Sequence, residues 1–254
     1  MNKQGPKILF YDIETSPNLS YTWGIWEQNV IAVEREWYML SFAYKWNDGK
    51  TQVCALPDFK LYKKDPTNDL ELVRKLWELL SEADIVVAHN GDAFDNKKAN
   101  SRFLFHGLPP PEPYKTVDTL KVARKYFKLN SNKLNDLGKL LNLGQKVQTG
   151  GFETWLGCMN GDPASWKIMC RYNKQDVELL YKVYQKIQGW MTNHPNVNLY
   201  SEQADSCPVC GGKHIQKRGY GFTKLGKYQR RQCTDCGAWG RERELIKLGV
   251  NITQ

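Results

Sequence analysis

The chain has 254 residues, 41% of them hydrophobic, which is enough for one full domain with a smaller module and too many for a disordered chain. No run of eighteen apolar residues occurs and "MNKQGPKILF" carries no apolar signal region, so a soluble, cytoplasmic protein with no membrane partner is expected. The net charge of +9 points to a polyanionic partner, and residues 201–254 hold ten Lys/Arg against five Asp/Glu, more than half of the excess in a fifth of the chain.

The first sixty residues read as strands. "KILFYDIET" alternates so that Asp12 and Glu14 share a side with Ile8 and Phe10, while Leu9, Tyr11 and Ile13 take the other. Two carboxylates held side by side repel unless a cation lies between them or one keeps its proton, and a hard divalent metal suits the pair. The alternative is an exposed Glu14 and an Asp12 that caps the "TSPN" turn. Trp23 and Trp26 follow in a Gly-containing loop, where they are candidates for stacking on unpaired bases. "EWYMLSFAYKW" and "KTQVCAL" are further strands that turn at "NDG". "PTNDLELVRKLWELLSEAD" predicts an amphipathic helix capped by Thr67 or Asn68, with Leu72, Leu76, Leu79 and Leu80 turned inward.

"IVVAHN" is a short buried strand, and the helix over "DNKKANSRFLFHG" ends at Gly107 before the rigid "LPPPEP" connector. "SNKLNDLGKLLNLG" predicts a short capped helix, and Asp162 with Pro163 opens a long one that runs to about Trp190. "TNHPNVNLYSEQADS" is polar and aperiodic. The expected organisation is therefore an α/β domain over residues 1–192, a linker over 193–205 and a small basic module over 206–254.

Seven cysteines, with Cys54, Cys158 and Cys170 scattered in apolar or helical surroundings, argue against a secreted disulfide framework. Cys207 and Cys210 in "CPVC" and Cys233 and Cys236 in "CTDC" have the spacing of one structural Zn²⁺ held by four thiolates. A glycine follows each pair, as in tight knuckles whose amides point at sulfur. Two unrelated redox pairs would leave a segment with too few apolar residues to fold.

More acids stand at telling places. "VVAHNGDAFD" puts Asp95 near a helix N-terminus, with Asp92 as a substitute, and "RYNKQD" sets Tyr172 one helical turn before Asp176. Singly, Asp95 reads as a cap and Asp176 as a solvated helix residue. Together "YDIET", "HNGDAFD" and "YNKQD" resemble, in order, the three exonuclease motifs of the DnaQ-like superfamily, in the DEDDy branch whose third motif is Tyr-x-x-x-Asp. The resemblance spans roughly residues 7–190. It implies a ribonuclease H-like fold, a mixed sheet flanked by helices. It also implies that Asp12, Glu14, Asp95 and Asp176 hold two Mg²⁺ or Mn²⁺ ions, and that Tyr172 orients the attacking water. Asp95 is preferred to Asp92 because it closes the Asn-x-x-x-Phe-Asp pattern that begins at Asn90. Two-metal hydrolysis of a phosphodiester needs hard oxygen ligands and no nucleophilic Ser or Cys, which agrees with this set.

Beside the second motif, His89 reads as a hydrogen bonder at a strand end ahead of a ligand, and Lys133 and Asn135, which resemble positions lining the substrate channel in related enzymes, read first as a solvated helix face. The C-terminal module resembles the zinc ribbons appended to transposases and nucleic-acid enzymes. Lys217, Arg218, Lys227, Arg230 and Arg231, interleaved with Tyr220, Phe222 and Tyr228, are candidates for gripping a strand; docking on its own nuclease domain or on another protein is the alternative. The expected function is a metal-dependent 3′→5′ exonuclease acting on single-stranded DNA ends, with DNA ahead of RNA as partner. A structure-specific endonuclease, a ribonuclease with the same metals, and a non-catalytic adaptor are the rivals.

Overall fold

A strand with two apolar faces belongs in the middle of a sheet. In the computed structural model, which describes residues 5–26, 29–145, 149–200 and 205–248, β1 (Ile8–Thr15) takes that place. The chain leaves it through β2 (Leu19–Tyr21) and β3 (Ala32–Arg35), an exposed hairpin outside the main sheet. It returns along β4 (Met39–Trp46), antiparallel to β1, and β5 (Gln52–Ala55). After α1 (Leu70–Glu82), β6 (Ile85–Ala88) pairs parallel with the other side of β1. Then come α2 (Asp95–Phe105) and β7 (Lys115–Asp118), which closes the order β5-β4-β1-β6-β7. α3 (Thr119–Tyr126), α4 (Leu134–Leu140), α5 (Phe152–Met159) and α6 (Pro163–Ile187) complete the domain. This is the mixed, helix-flanked sheet of a ribonuclease H-like fold.

The alternation of β1 divides the core. Leu9, Tyr11 and Ile13 pack with Leu72, Leu76 and Leu80 of α1 and Phe103 of α2. Phe10 faces the other way, onto Val177, Leu180 and Val183 of α6 and Leu134 and Leu137 of α4. The edges of Tyr181 and Tyr184 meet the Phe10 ring at 5.1 and 5.0 Å, and this fixes the register of α6 against β1. Asp12 and Glu14, two and four residues beyond Phe10, therefore face α6.

The caps of α2 and α6 follow the sequence: Gly107, just beyond α2, has φ +67°, and Asp162 accepts from the amides of Ala164 and Ser165. The start of α1 differs. Its N-cap is Asp69, while Asn68 only accepts from Leu70 N at 3.2 Å. The Asp69 carboxylate turns inward, where it accepts from Met39 N (2.7 Å), Arg102 Nε (2.8 Å) and His106 Nε2 (2.6 Å). A fully buried carboxylate is tolerable only with such partners, and Arg102 and His106 come from α2, beyond the reach of local capping rules.

The module after α6 is a sheet of β8 (Ile215–Phe222), β9 (Gly226–Cys233) and β10 (Trp239–Leu248) in the order β10-β9-β8. It docks on the α/β domain. Within the stretch expected as a linker, Val197–Tyr200 forms a short turn whose Val197 is buried in the α6 core, and Val197 N donates to Pro208 O at 2.9 Å. Asn198 and Ser206 exchange two hydrogen bonds, of 2.7 and 2.6 Å. A Cβ on Gly189 would lie 2.2 Å from the carbonyl oxygen of Cys236, so only glycine lets the second knuckle seat at the end of α6. The rest of that stretch, 201–204, and the outer ends of the two expected domains, 1–4 and 249–254, lie outside the described residues. Among the described residues no helix is long and apolar enough to cross a membrane.

Candidate active site

β1 ends in acid because its last turn of alternation leaves the core. Asp12 and Glu14 emerge where α6 crosses, and Asp176 of α6 reaches them: one carboxylate oxygen of each lies within 4.8 Å of the others. Asp176 is itself buried in this cluster, so it is not a solvated helix residue. Three converging carboxylates in a half-buried corner repel strongly. Their donors are hard oxygens, and a Mg²⁺ or Mn²⁺ ion with oxygen ligands at about 2.1 Å suits that set. The residues fit the ions that the motifs imply.

The second-motif acid stands beside this cluster and outside it. Asp95 is buried at the first turn of α2, and its Oδ1 accepts from the amide of Ile13 at 3.2 Å, between the two acids of β1. An acid at a helix N-terminus is favoured there by the helix dipole. Its competitor is already engaged: Lys121 Nζ pairs with Asp92 Oδ2 at 2.6 Å, and Asn96 Nδ2 donates to Asp92 Oδ1 at 3.2 Å. Asn96 also accepts from Tyr11 Oη at 2.6 Å. Burial, and then the charge of Asp95, hold the Tyr11 phenol well above its ordinary range, so it is a neutral donor.

Tyr172 is half-buried one turn before Asp176, with its ring edge-on to Trp155 of α5 at 6.0 Å. His89 uses both ring nitrogens, toward Thr119 Oγ1 (2.9 Å) and Asn132 O (3.0 Å), in keeping with a strand-end hydrogen bonder. Lys133 is the N-cap of α4, and Asn135 lies in its first turn. Trp23 and Trp26, at 85% and 90% exposure, stand between β2 and β3 on the connection that leaves β1 just past Glu14.

A family model described as the RNase_H superfamily matches residues 9–188, which include every acid named above. The chain belongs to the RNase_H superfamily. Among solved structures, this RNase_H member is similar to the family B DNA polymerase from the hyperthermophilic archaeon Pyrobaculum calidifontis, with a TM-score of 0.56 and 14% identity over 87% of this chain. The match covers 32% of the polymerase, so the chain spans about a third of its length. No curated protein matches. The RNase_H fold with its acidic cluster supports nuclease activity.

The four cysteines of the C-terminal sheet come together as the spacing predicts. Cys207 Sγ and Cys236 Sγ are 3.7 Å apart, as are those of Cys210 and Cys233. A disulfide requires about 2.05 Å, whereas four sulfurs at about 2.3 Å from a tetrahedral Zn²⁺ stand about 3.8 Å apart. The knuckle glycines Gly211 and Gly237 have φ of +73° and +79°, and Gly212 N points at Cys210 Sγ at 3.3 Å. Hydrogen bonds with Cys210 and Cys236 hold the Cys207 thiol low and push those two thiols up in turn, as expected where sulfurs crowd together. The cluster is compatible with a zinc ribbon.

The basic candidates on this ribbon divide. Lys217, Arg218 and Arg230 are exposed; Arg230 stacks over Trp239 at 4.7 Å, and Lys227 lies 3.8 Å over the ring of Tyr220. Arg231 is tied to Glu242, with Nε donating at 2.6 Å. Sequence reading passed over Trp239 and Arg241, which stacks on Tyr228 at 4.1 Å. Their pairing exists only once β9 and β10 are side by side.

Proposed function

We propose that the chain is a metal-dependent 3′→5′ exonuclease that hydrolyses DNA phosphodiester bonds at single-stranded ends. The observation that carries this reading is the convergence of Asp12, Glu14 and Asp176 at the end of β1 in an RNase_H fold. Divalent cations, when bound, supply the acidity that makes water a nucleophile at neutral pH and the charge that steadies the leaving oxygen. Asp12, Glu14 and Asp176 hold them, with Asp95 as the fourth ligand. Tyr172 orients the attacking water with its hydroxyl, from a ring braced by Trp155. Trp23 and Trp26 offer faces on which the frayed end stacks. The structural likeness to a DNA polymerase favours DNA over RNA.

Four thiolates in the ribbon hold one structural Zn²⁺, and Lys217, Arg218, Lys227 and Arg230 meet strand phosphates. Single- and double-stranded DNA and RNA, labelled at either end, are incubated with the protein and Mg²⁺ or Mn²⁺. Stepwise shortening of 5′-labelled single-stranded DNA is expected. Internal fragments at first cleavage would identify an endonuclease instead, and degradation of RNA alone a ribonuclease.

A further inference from the structure

Beneath the acids lies a residue at one of the unspecified positions of the third motif. Asn173 is fully buried on α6, next to Tyr172 and three residues before Asp176. Its Nδ2 donates to Asp12 Oδ2 at 2.8 Å and to the Asp12 carbonyl at 3.1 Å. Its Oδ1 accepts from Ser41 Oγ at 3.1 Å. The reversed amide would set an oxygen against two Asp12 acceptors, so chemistry dictates this orientation. Ser41 is also fully buried and faces Glu14 across the β1–β4 ladder. One chain of hydrogen bonds thus joins β4, α6 and β1 under the carboxylate cluster.

We infer that Asn173 is the positioning residue of the metal site, fixing the Asp12 carboxylate for cation binding; this rests on the metal-dependent function proposed above. By holding the main-chain oxygen and a side-chain oxygen of the same residue, one amide restrains χ1 and χ2 between them, the third torsion, ψ, being set by the β1 ladder. The rotation of the carboxylate is thereby set before any ion arrives. A lysine or arginine would hold Asp12 as firmly but would neutralise it, as Lys121 does Asp92. The neutral amide orients the acid and leaves its charge for the cation. Deeper burial of the amide than of Asp12 itself keeps water from substituting for it.

The test is Mn²⁺ binding to the full chain without nucleic acid, by calorimetry, in wild type, Asn173→Ala, Ser41→Ala, Asp12→Ala and Val183→Ala. Asn173→Ala is expected to weaken Mn²⁺ by about 10-fold or more and to raise the Mg²⁺ concentration for half-maximal cleavage in step. Ser41→Ala removes one bond that reaches Asp12 only through Asn173, and a loss of about threefold is expected. Val183→Ala, which truncates a buried α6 side chain away from the acids, lowers the melting temperature with Mn²⁺ affinity unchanged. A folded Asn173→Ala protein with wild-type Mn²⁺ affinity overturns the inference. If that variant does not fold, wild-type affinity in Ser41→Ala overturns it. Loss of Mn²⁺ in Asp12→Ala alone would leave the metal site standing without Asn173, whereas undiminished binding in Asp12→Ala would remove the metal site itself.

Discussion

Four sulfurs meet because two knuckles and one hairpin, adjacent in the chain, bring them together, whereas the three converging carboxylates come from β1 and from α6 at opposite ends of the nuclease domain. The sulfur cluster is local and needs few other contacts, and on the proposed reading its module folds around a metal. The acid cluster is held by everything between its members: the Phe10 ring against Tyr181 and Tyr184, the β1–β4 ladder and the Asn173 amide. Like charges at such short range repel, so the surrounding fold and not the acids themselves must hold them together. The two sites therefore answer oppositely to loss of a ligand: one loses structure and keeps chemistry elsewhere, and the other loses chemistry and keeps structure.

The largest expected effect lies in the acids. Asp12→Ala or Asp176→Ala should reduce cleavage to background, and the metal-free Asp176→Ala protein should melt no lower than wild type, since it removes a repelling charge, whereas Asp12→Ala also strands one hydrogen of the buried Asn173 amide. Cleavage near the wild-type rate in either would break the comparison at once. Tyr172→Phe should lower the rate by roughly 10² with little change in substrate affinity, as expected for loss of a group that positions water. A wild-type rate would reduce Tyr172 to a packing partner of Trp155.

On the sulfur side, Cys207→Ser or Cys236→Ser should release one zinc per chain, measured by elemental analysis, and unfold the ribbon while cleavage at saturating substrate survives. Loss of cleavage there would show that the ribbon serves the catalytic step. Replacing Lys217, Arg218, Lys227 and Arg230 together by Gln should flatten the log-log salt dependence of single-strand binding by about 3 units if each meets a phosphate, at about 0.7 per contact. An unchanged slope would make the ribbon a protein-contacting module. The smallest effect is that of Gly189→Ala. Its Cβ strikes the Cys236 carbonyl, so the ribbon should lift from α6, seen as protease sensitivity near residue 200, at a cost of about 1–3 kcal/mol.

The parts of the fold that local pattern dictates could be read from the chain. The two faces of β1, the Asp162 cap of α6, the Gly107 stop of α2 and the cysteine spacing each depend on neighbours within a few residues. What escaped depends on distant partners. Asp69 reads as a residue after a cap, and only the arrival of Arg102 and His106 makes it a buried anion. Asn173 occupies a free position of the Tyr-x-x-x-Asp motif, and the acid it holds is 161 residues away. The β2–β3 hairpin escaped for another reason. Leu19 and Tyr21 of β2 and Val33 of β3 are exposed, so neither short strand has the buried apolar face on which alternation is read.

The length of α6 sets a scale for the substrate of the proposed nuclease. Asp176 and the glycine under the second knuckle are thirteen residues apart on one helix and its last turn, about 20 Å. A stacked strand advances about 3.4 Å per nucleotide, so about six nucleotides span that interval. If the acids cut and the ribbon grips, as proposed, the helix between them works as a ruler. An oligonucleotide longer than the interval is held at both ends, and one trimmed below it is held only where it is cut. Digestion followed base by base should therefore slow within the last six or so nucleotides, leaving short products of a narrow size range.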